Sequence, residues 1–214
     1  MHLCLWTRWS EKAMIRAMST NTTATTNKAP LIVGITGATG AALGVEALHA
    51  CRDLGIPAHL IITETGVRAL TLETGLSLGD IKAIATQTYP NKDVGAAVAS
   101  GSFKARGMIV APCSIKTLSG IASSFSHNLM IRAADVCLKE RRPVVLMVRE
   151  TPLHKGHLDL MSRAADLGCH IMPPMPAFYA KPESIADMVR HTVGRALDLL
   201  DIEHDRVERW NGEA

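Results

Sequence analysis

The fold class this sequence predicts is a three-layer, doubly wound α/β domain with a parallel sheet, of the flavodoxin-like or Rossmann-like kind. Three observations lead there. Short, near-continuous apolar runs recur along the chain, as expected of parallel strands buried on both faces. Stretches of helical apolar spacing separate them. Each loop rich in glycine or polar groups follows an apolar run, which is where such sheets bind ligands.

The elements follow in order. Residues 1–29 contain no apolar stretch of signal-peptide type, because Arg8, Glu11 and Lys12 interrupt it, and they end in Ser, Thr, Asn and Ala. They read as a tail outside the fold, with Met14 and Met18 as alternative starts and residues 30–214 as the domain. Strands are expected at 31–35, 58–63, 108–111, 144–148 and 170–172. Leu43, Ala47, Leu48, Cys51 and Leu54 share one helical face that stops at Gly55. Pro112 and Cys113 are expected to halt the third strand, and a helix to start just beyond. The last helix carries the stripe Ile185, Met188, Val189, Val193, Ala196, Leu197 and Leu200, with Ser184 and Asp187 in a capping-box arrangement.

Bulk properties exclude several classes. Charged residues make up 20% and apolar ones 47%, which fits a globular chain rather than a disordered one, and no apolar run is long enough to span a bilayer. A net charge of +3, with no basic run, gives no electrostatic reason to expect nucleic acid. Five scattered cysteines without a C-x-x-C pair read as reduced thiols of a cytoplasmic protein.

The turn "VGITGATGAALG" suits close backbone approach to an anion at a helix start, or else is a tight turn with no ligand. It departs from G-x-G-x-x-G at Thr39. A short-chain dehydrogenase reading fails, because Asp93 and Glu183 stand where Tyr89 and Tyr179 would need a lysine. Glu64 could serve a ribose. "APCSIKTLSG" is a second anion site of hydroxyls, an ammonium and free N–H groups, not a Walker loop, and Cys113 within it reads as a packed thiol. Arg132, Asp135 and Lys139 share a helical face, which by itself describes a solvated surface. Arg149 and Glu150 cap a strand at the ligand edge, where a carboxyl near cations could carry a proton. His154 and His157 have metal spacing but no third ligand and read as surface. Phe178 and Tyr179 form either an apolar ligand wall or a packed loop, and Arg195 could reach an anion from the last helix.

Taken together, "GITGATGAALG", "LETG", "SGSF", "PCSIKTLSGI", "RAADVCLKERRPVVLMVRETPL", "MPPMPAFY" and the terminal Arg209–Trp210 resemble the UbiX-type flavin prenyltransferases. The resemblance spans the chain from about Leu31 to Trp210. It implies that reduced FMN receives a dimethylallyl group from dimethylallyl monophosphate at N5 and C6, giving prenylated FMN for a UbiD-type decarboxylase. It leaves ubiquinone synthesis and aromatic-acid breakdown both open as destinations, and it implies a homododecamer with its site between subunits and no metal. By motif, Gly37, Ala38, Thr39, Thr63, Ser114, Ile115, Lys116, Thr117 and Arg149 would contact FMN. The prenyl phosphate would fall to Arg132, Lys139, Tyr179 and Arg195. Glu150, Lys139, Glu73 and Thr39 would act in catalysis, with Glu150 handling the proton. The family often has Ser at the positions of Thr39 and Thr63, and both threonines keep the hydroxyl. No D-D-x-x-D cluster is present, which suits a monophosphate leaving group held by fixed cations. Two alternatives are a flavin-dependent cysteine decarboxylase, whose P-x-M-N-x-x-M-W element this chain lacks, and a non-catalytic FMN carrier.

Overall fold

The computed structural model describes residues 29–207 together with Arg209 and Gly212. Residues 1–28, and so nearly all of the expected tail, lie outside the described residues, as does Trp210.

Six parallel strands form one sheet: β1 (Leu31–Ile35), β2 (Ala58–Ile62), β3 (Gln87–Pro90), β4 (Gly107–Cys113), β5 (Val144–Val148) and β6 (Cys169–Ile171). Their order is β3-β2-β1-β4-β5-β6, the Rossmann-type winding, so the direction of winding reverses between β1 and β4. Alternation along each strand feeds two cores. Leu31, Val33 and Ile35 of β1 face one, with Leu60, Ile109 and Val145. Ile32, Ile61, Met108, Val110 and Leu146 face the other. Full burial of each such side chain contributes about 1.5–3 kcal/mol.

Helices α1 (Ala41–Asp53), α2 (Glu64–Thr74), α3 (Leu78–Ile84) and α7 (Ile185–Asp198) supply the first core. Helices α4 (Ile115–Ala122), α5 (Leu129–Lys139) and α6 (Lys155–Asp166) supply the second. The expected face of α1 is buried through Leu43, Ala47, Leu48 and Cys51. On α7, Val193, Ala196 and Leu197 are buried, whereas Ile185 at its start is 77% exposed. Ser184 caps α7 by accepting the Asp187 N–H at 3.2 Å.

Three expectations are corrected. A strand at β3 is not among the expected ones, because "QTYP" has no apolar run; it is one of the two edge strands and, among the described residues, pairs with β2 alone. Strand β4 does not stop at Ala111 but includes Pro112 and Cys113. A register shift between Val110 and Cys113 absorbs the missing N–H of the proline. Strand β2 stops at Ile62 rather than at residue 63, because Thr63 caps α2, which Glu64 opens.

Candidate functional site

An open cleft of about 880 Å³ lies over the carboxyl ends of β2 and β3 and reaches the start of α4. That volume is within the usual range for small-molecule sites. Three helices begin at its wall. Thr63 caps α2 by accepting the Gly66 N–H at 3.0 Å. Ser114 caps α4 through the Thr117 N–H at 3.4 Å, and Asn128 caps α5 through the Ile131 N–H at 3.0 Å. Their positive dipole ends converge on one space, and Lys82, Lys92 and Lys116 line it as well. Ile62, Val67 and Leu78 add apolar wall. The arrangement fits a ligand with a flat apolar body and a phosphate, as a flavin mononucleotide has.

Of the residues read from sequence, Thr63, Glu64, Ser114, Lys116 and Thr117 come together in this cleft. Ile115 turns its side chain toward the second core beneath it. Cys113 is fully buried, and burial pushes its thiol well above the ordinary range, so it is a packing group and no nucleophile.

The glycine turn stands beside the cleft rather than in its wall. Gly37 abuts Thr65, a lining residue, so closely that a Cβ at Gly37 would lie 2.3 Å from Thr65 Oγ1. Gly40 turns the chain into α1 with φ 103°, a region disfavoured for residues with a side chain. The expectation that an external anion sits at the start of α1 is corrected here. Glu73 Oε2, from α2, accepts the N–H groups of Gly40 and Ala41 at 2.8 Å each. The chain thus supplies an anion of its own at the start of α1. Partial burial works to raise the Glu73 pKa. Hydrogen bonds from the Thr39 side chain and from the Ala41 and Gly40 N–H groups, with the charge of Arg149, outweigh it and hold Glu73 below its ordinary 4.5. The Thr39 hydroxyl and the Arg149 side chain thus both act on the Glu73 carboxylate beside the cleft. Arg149 is anchored through its N–H to the Cys113 carbonyl at 3.0 Å. Glu150, next in the chain, accepts the Thr151 N–H at 3.0 Å.

The remaining residues of the sequence reading, Arg132, Lys139, Tyr179 and Arg195, are spread over different elements of the chain. Arg132 and Lys139 lie on α5, which packs on the second core. Arg132 donates to the Ala99 carbonyl at 3.3 Å and pairs with Asp135 at 2.9 Å, while Lys139 pairs with Glu140. Arg195 is on α7, across the sheet, and Tyr179 lies in the loop that leads into that helix. Tyr179 is 60% exposed and meets the His191 ring edge-on, and Arg195 pairs with Asp198. Phe178, beside Tyr179, is 72% exposed and packs no core.

Sequence reading missed Lys82, Lys92 and Asn128, and with them Asn91 and Tyr89. Asn91 lines the cleft and anchors α5, because its backbone and side-chain oxygens accept the Leu129 and Met130 N–H groups at 2.8 and 3.0 Å. Tyr89 lines the cleft with its hydroxyl 3.0 Å from His59 Nδ1. Both sit on or just after the strand that has no apolar signature. His154 and His157 stack with ring centroids 3.6 Å apart, and no group of three potential metal donors occurs among the described residues.

The Flavoprotein family model matches residues 19–197. The flavin prenyltransferase UbiX of Escherichia coli K12 is 51% identical over 185 residues, covering 85% of this chain and 98% of that protein. Among solved structures, AnUbiX in complex with FMN and dimethylallyl pyrophosphate aligns with a TM-score of 0.85 and 45% identity, over 87% of this chain and all of that one. A dodecameric FMN-dependent UbiX-like decarboxylase from Escherichia coli O157:H7 aligns with a TM-score of 0.83 and 46% identity, over 86% of this chain and all of that one.

Proposed function

The chain belongs to the flavin prenyltransferase family, and we infer from this how its own residues divide the work. It joins a dimethylallyl group to N5 and C6 of reduced FMN, and the prenylated product goes to a UbiD-type decarboxylase. When bound, reduced FMN supplies the two nucleophilic ring atoms. The observation that supports the site most directly is the convergence of three helix starts and Lys116 on one cleft with an apolar wall.

Thr63, Ser114, Lys116 and Thr117 hold the flavin by hydroxyl, ammonium and N–H donors, with Ile115 packed beneath them. Gly37, Ala38, Thr39 and Arg149 hold it from the rim. Glu73 fixes the start of α1 as a carboxylate and acts as an acceptor, not as an acid. Glu150 moves the proton through its carboxyl. Arg132, Lys139, Tyr179 and Arg195 grip the phosphate of dimethylallyl monophosphate and stabilise it as it leaves. Because α5 and α7 lie on opposite faces of the sheet, these four meet only where subunits meet, as in a homododecamer. Exposed Met175 and Phe178 would be covered there, which keeps water from the allylic group. Residues 30–214 act as one catalytic domain. Cys51, Cys113, Cys137 and Cys169 are buried free thiols, which supports a cytoplasmic setting. Among the described residues no helix is long and apolar enough to cross a membrane.

Anaerobic incubation with reduced FMN and dimethylallyl monophosphate, followed by mass spectrometry of the flavin, should show the gain of one dimethylallyl unit. An FMN-loaded preparation whose flavin keeps its mass would sink the reading. For the shared site, Lys139→Ala and Tyr179→Phe subunits, each inactive alone, should recover turnover when co-assembled. No recovery in mixed oligomers would place all four groups in one subunit.

A further inference from the structure

The flavin half of the site rests on two loops, one after β1 and one after β4, distant in sequence. Between them lies Thr36, which is fully buried. Its hydroxyl donates to the Pro112 carbonyl at 2.7 Å, across 76 positions of sequence, and accepts the Ser114 N–H at 2.8 Å. Its own N–H reaches the same Pro112 carbonyl at 3.3 Å. One side chain thus stitches the residue before Gly37 to both flanks of Cys113. With its N–H taken by Thr36, Ser114 keeps its side chain in place as the cap of α4, 3.3 Å from the Thr117 hydroxyl.

We propose that Thr36 is a positioning residue for the flavin. It is too buried to touch a ligand itself, and it sets the spacing between residues 37–39 and residues 114–117. A valine has nearly the same shape but leaves the Ser114 N–H without its acceptor and the Pro112 carbonyl without its hydroxyl donor. The molecule contains its own control. Thr192 is 7% exposed and donates its hydroxyl to the Met188 carbonyl at 2.7 Å, but this bond stays within α7 and joins no loops. If burial of a threonine hydroxyl were all that mattered, the two positions would behave alike.

The inference rests on the flavin reading of the cleft, and direct binding separates the two. Oxidised FMN is titrated into the purified full-length chain, followed by quenching of flavin fluorescence. Thr36→Val should weaken FMN binding about 10- to 100-fold. Thr36→Ser, which keeps the hydroxyl, should stay within about threefold of the parent, and Thr192→Val within about twofold. In turnover, Thr36→Val should raise KM for FMN and leave KM for dimethylallyl monophosphate within about twofold, because no donor group lies on either stitched loop. A parent chain that does not bind FMN would refute the cleft reading itself. A parent and a Thr36→Val variant that bind equally, a Thr36→Ser variant that loses as much as valine, or a Thr192→Val variant that does so, would each overturn the positioning role. Should Thr36→Val fail to fold, hydrogen exchange in the parent decides. The Ser114 amide should exchange slowly, and rapid exchange would show that the stitch is not made.

Discussion

The two halves of the proposed site are built differently. In the flavin half, three helix caps, a buried threonine and a proline carbonyl hold the loops of one chain against each other. The donor half is scattered over both faces of the sheet, and its cations are engaged by local acids, Arg132 by Asp135, Lys139 by Glu140 and Arg195 by Asp198. On the proposed reading, the difference is that one chain prebuilds a cofactor pocket, whereas the groups for the phosphate donor await further copies of the chain. Their local ion pairs are partly exposed and weak individually, so a dianionic phosphate would compete for the cations.

The sharpest way to break this comparison is Lys139→Ala. Turnover should fall by about 100-fold or more, while FMN affinity stays within about twofold, since Lys139 stands apart from the cleft. Equal loss of both, measured by product mass and by flavin titration, would mean that the halves are not separate. Next in size is Gly44→Ala. A Cβ there would lie 2.5 Å from the Ala111 carbonyl oxygen and from Ile35 Cγ1, so α1 must move away from β1 and β4. Overpacking of this kind costs about 1–3 kcal/mol, a drop in thermal midpoint of about 2–4 °C per kcal/mol. FMN affinity should weaken along with stability, because α1 carries the glycine turn.

A smaller effect is expected at Glu73. Its folded pKa lies below 4.5, so the folded state binds fewer protons than the unfolded state as pH passes through this window. Its contribution is present above the ordinary carboxyl pKa and is lost as pH falls through the folded value. Glu73→Gln should therefore lower the thermal midpoint at pH 7 slightly and lose that difference as pH falls through the folded-state pKa of Glu73. A gap that persists unchanged into acid would show that charge at the start of α1 is not the cause. The smallest effect belongs to neither half. Lys155 pairs with Asp159 at 2.7 Å on the open face of α6, with 85% of the lysine side chain exposed. Lys155→Ala should change stability by no more than about 0.5 kcal/mol in chemical denaturation.

Much of the fold was legible because its causes are local. Apolar runs at β1 and β5 and the stripe of α1 depend on neighbours a few positions away. The hydroxyl and ammonium groups of residues 114–117 were legible as an anion site for the same reason, since the cap, the helix start and the cation are consecutive. What escaped reading depends on distant partners. Strand β3 exists because β2 offers it an edge, not because its own residues are apolar. Pro112 continues a strand because the register shifts around it. The phosphate-like place at the start of α1 is filled by Glu73, 32 positions away in sequence from Ala41.

Short-range spacing alone determined a wound α/β sheet with its polar loops after the strands, because that pattern repeats along the chain, and the quoted motifs in their order carried the family resemblance. Tertiary structure alone decided that Glu73 fills the start of α1, that Thr36 joins two loops, and that Arg132 and Lys139 lie across the sheet from Arg195. Those outcomes follow from where the sheet places residues far apart in sequence, and one-dimensional spacing carries no record of it.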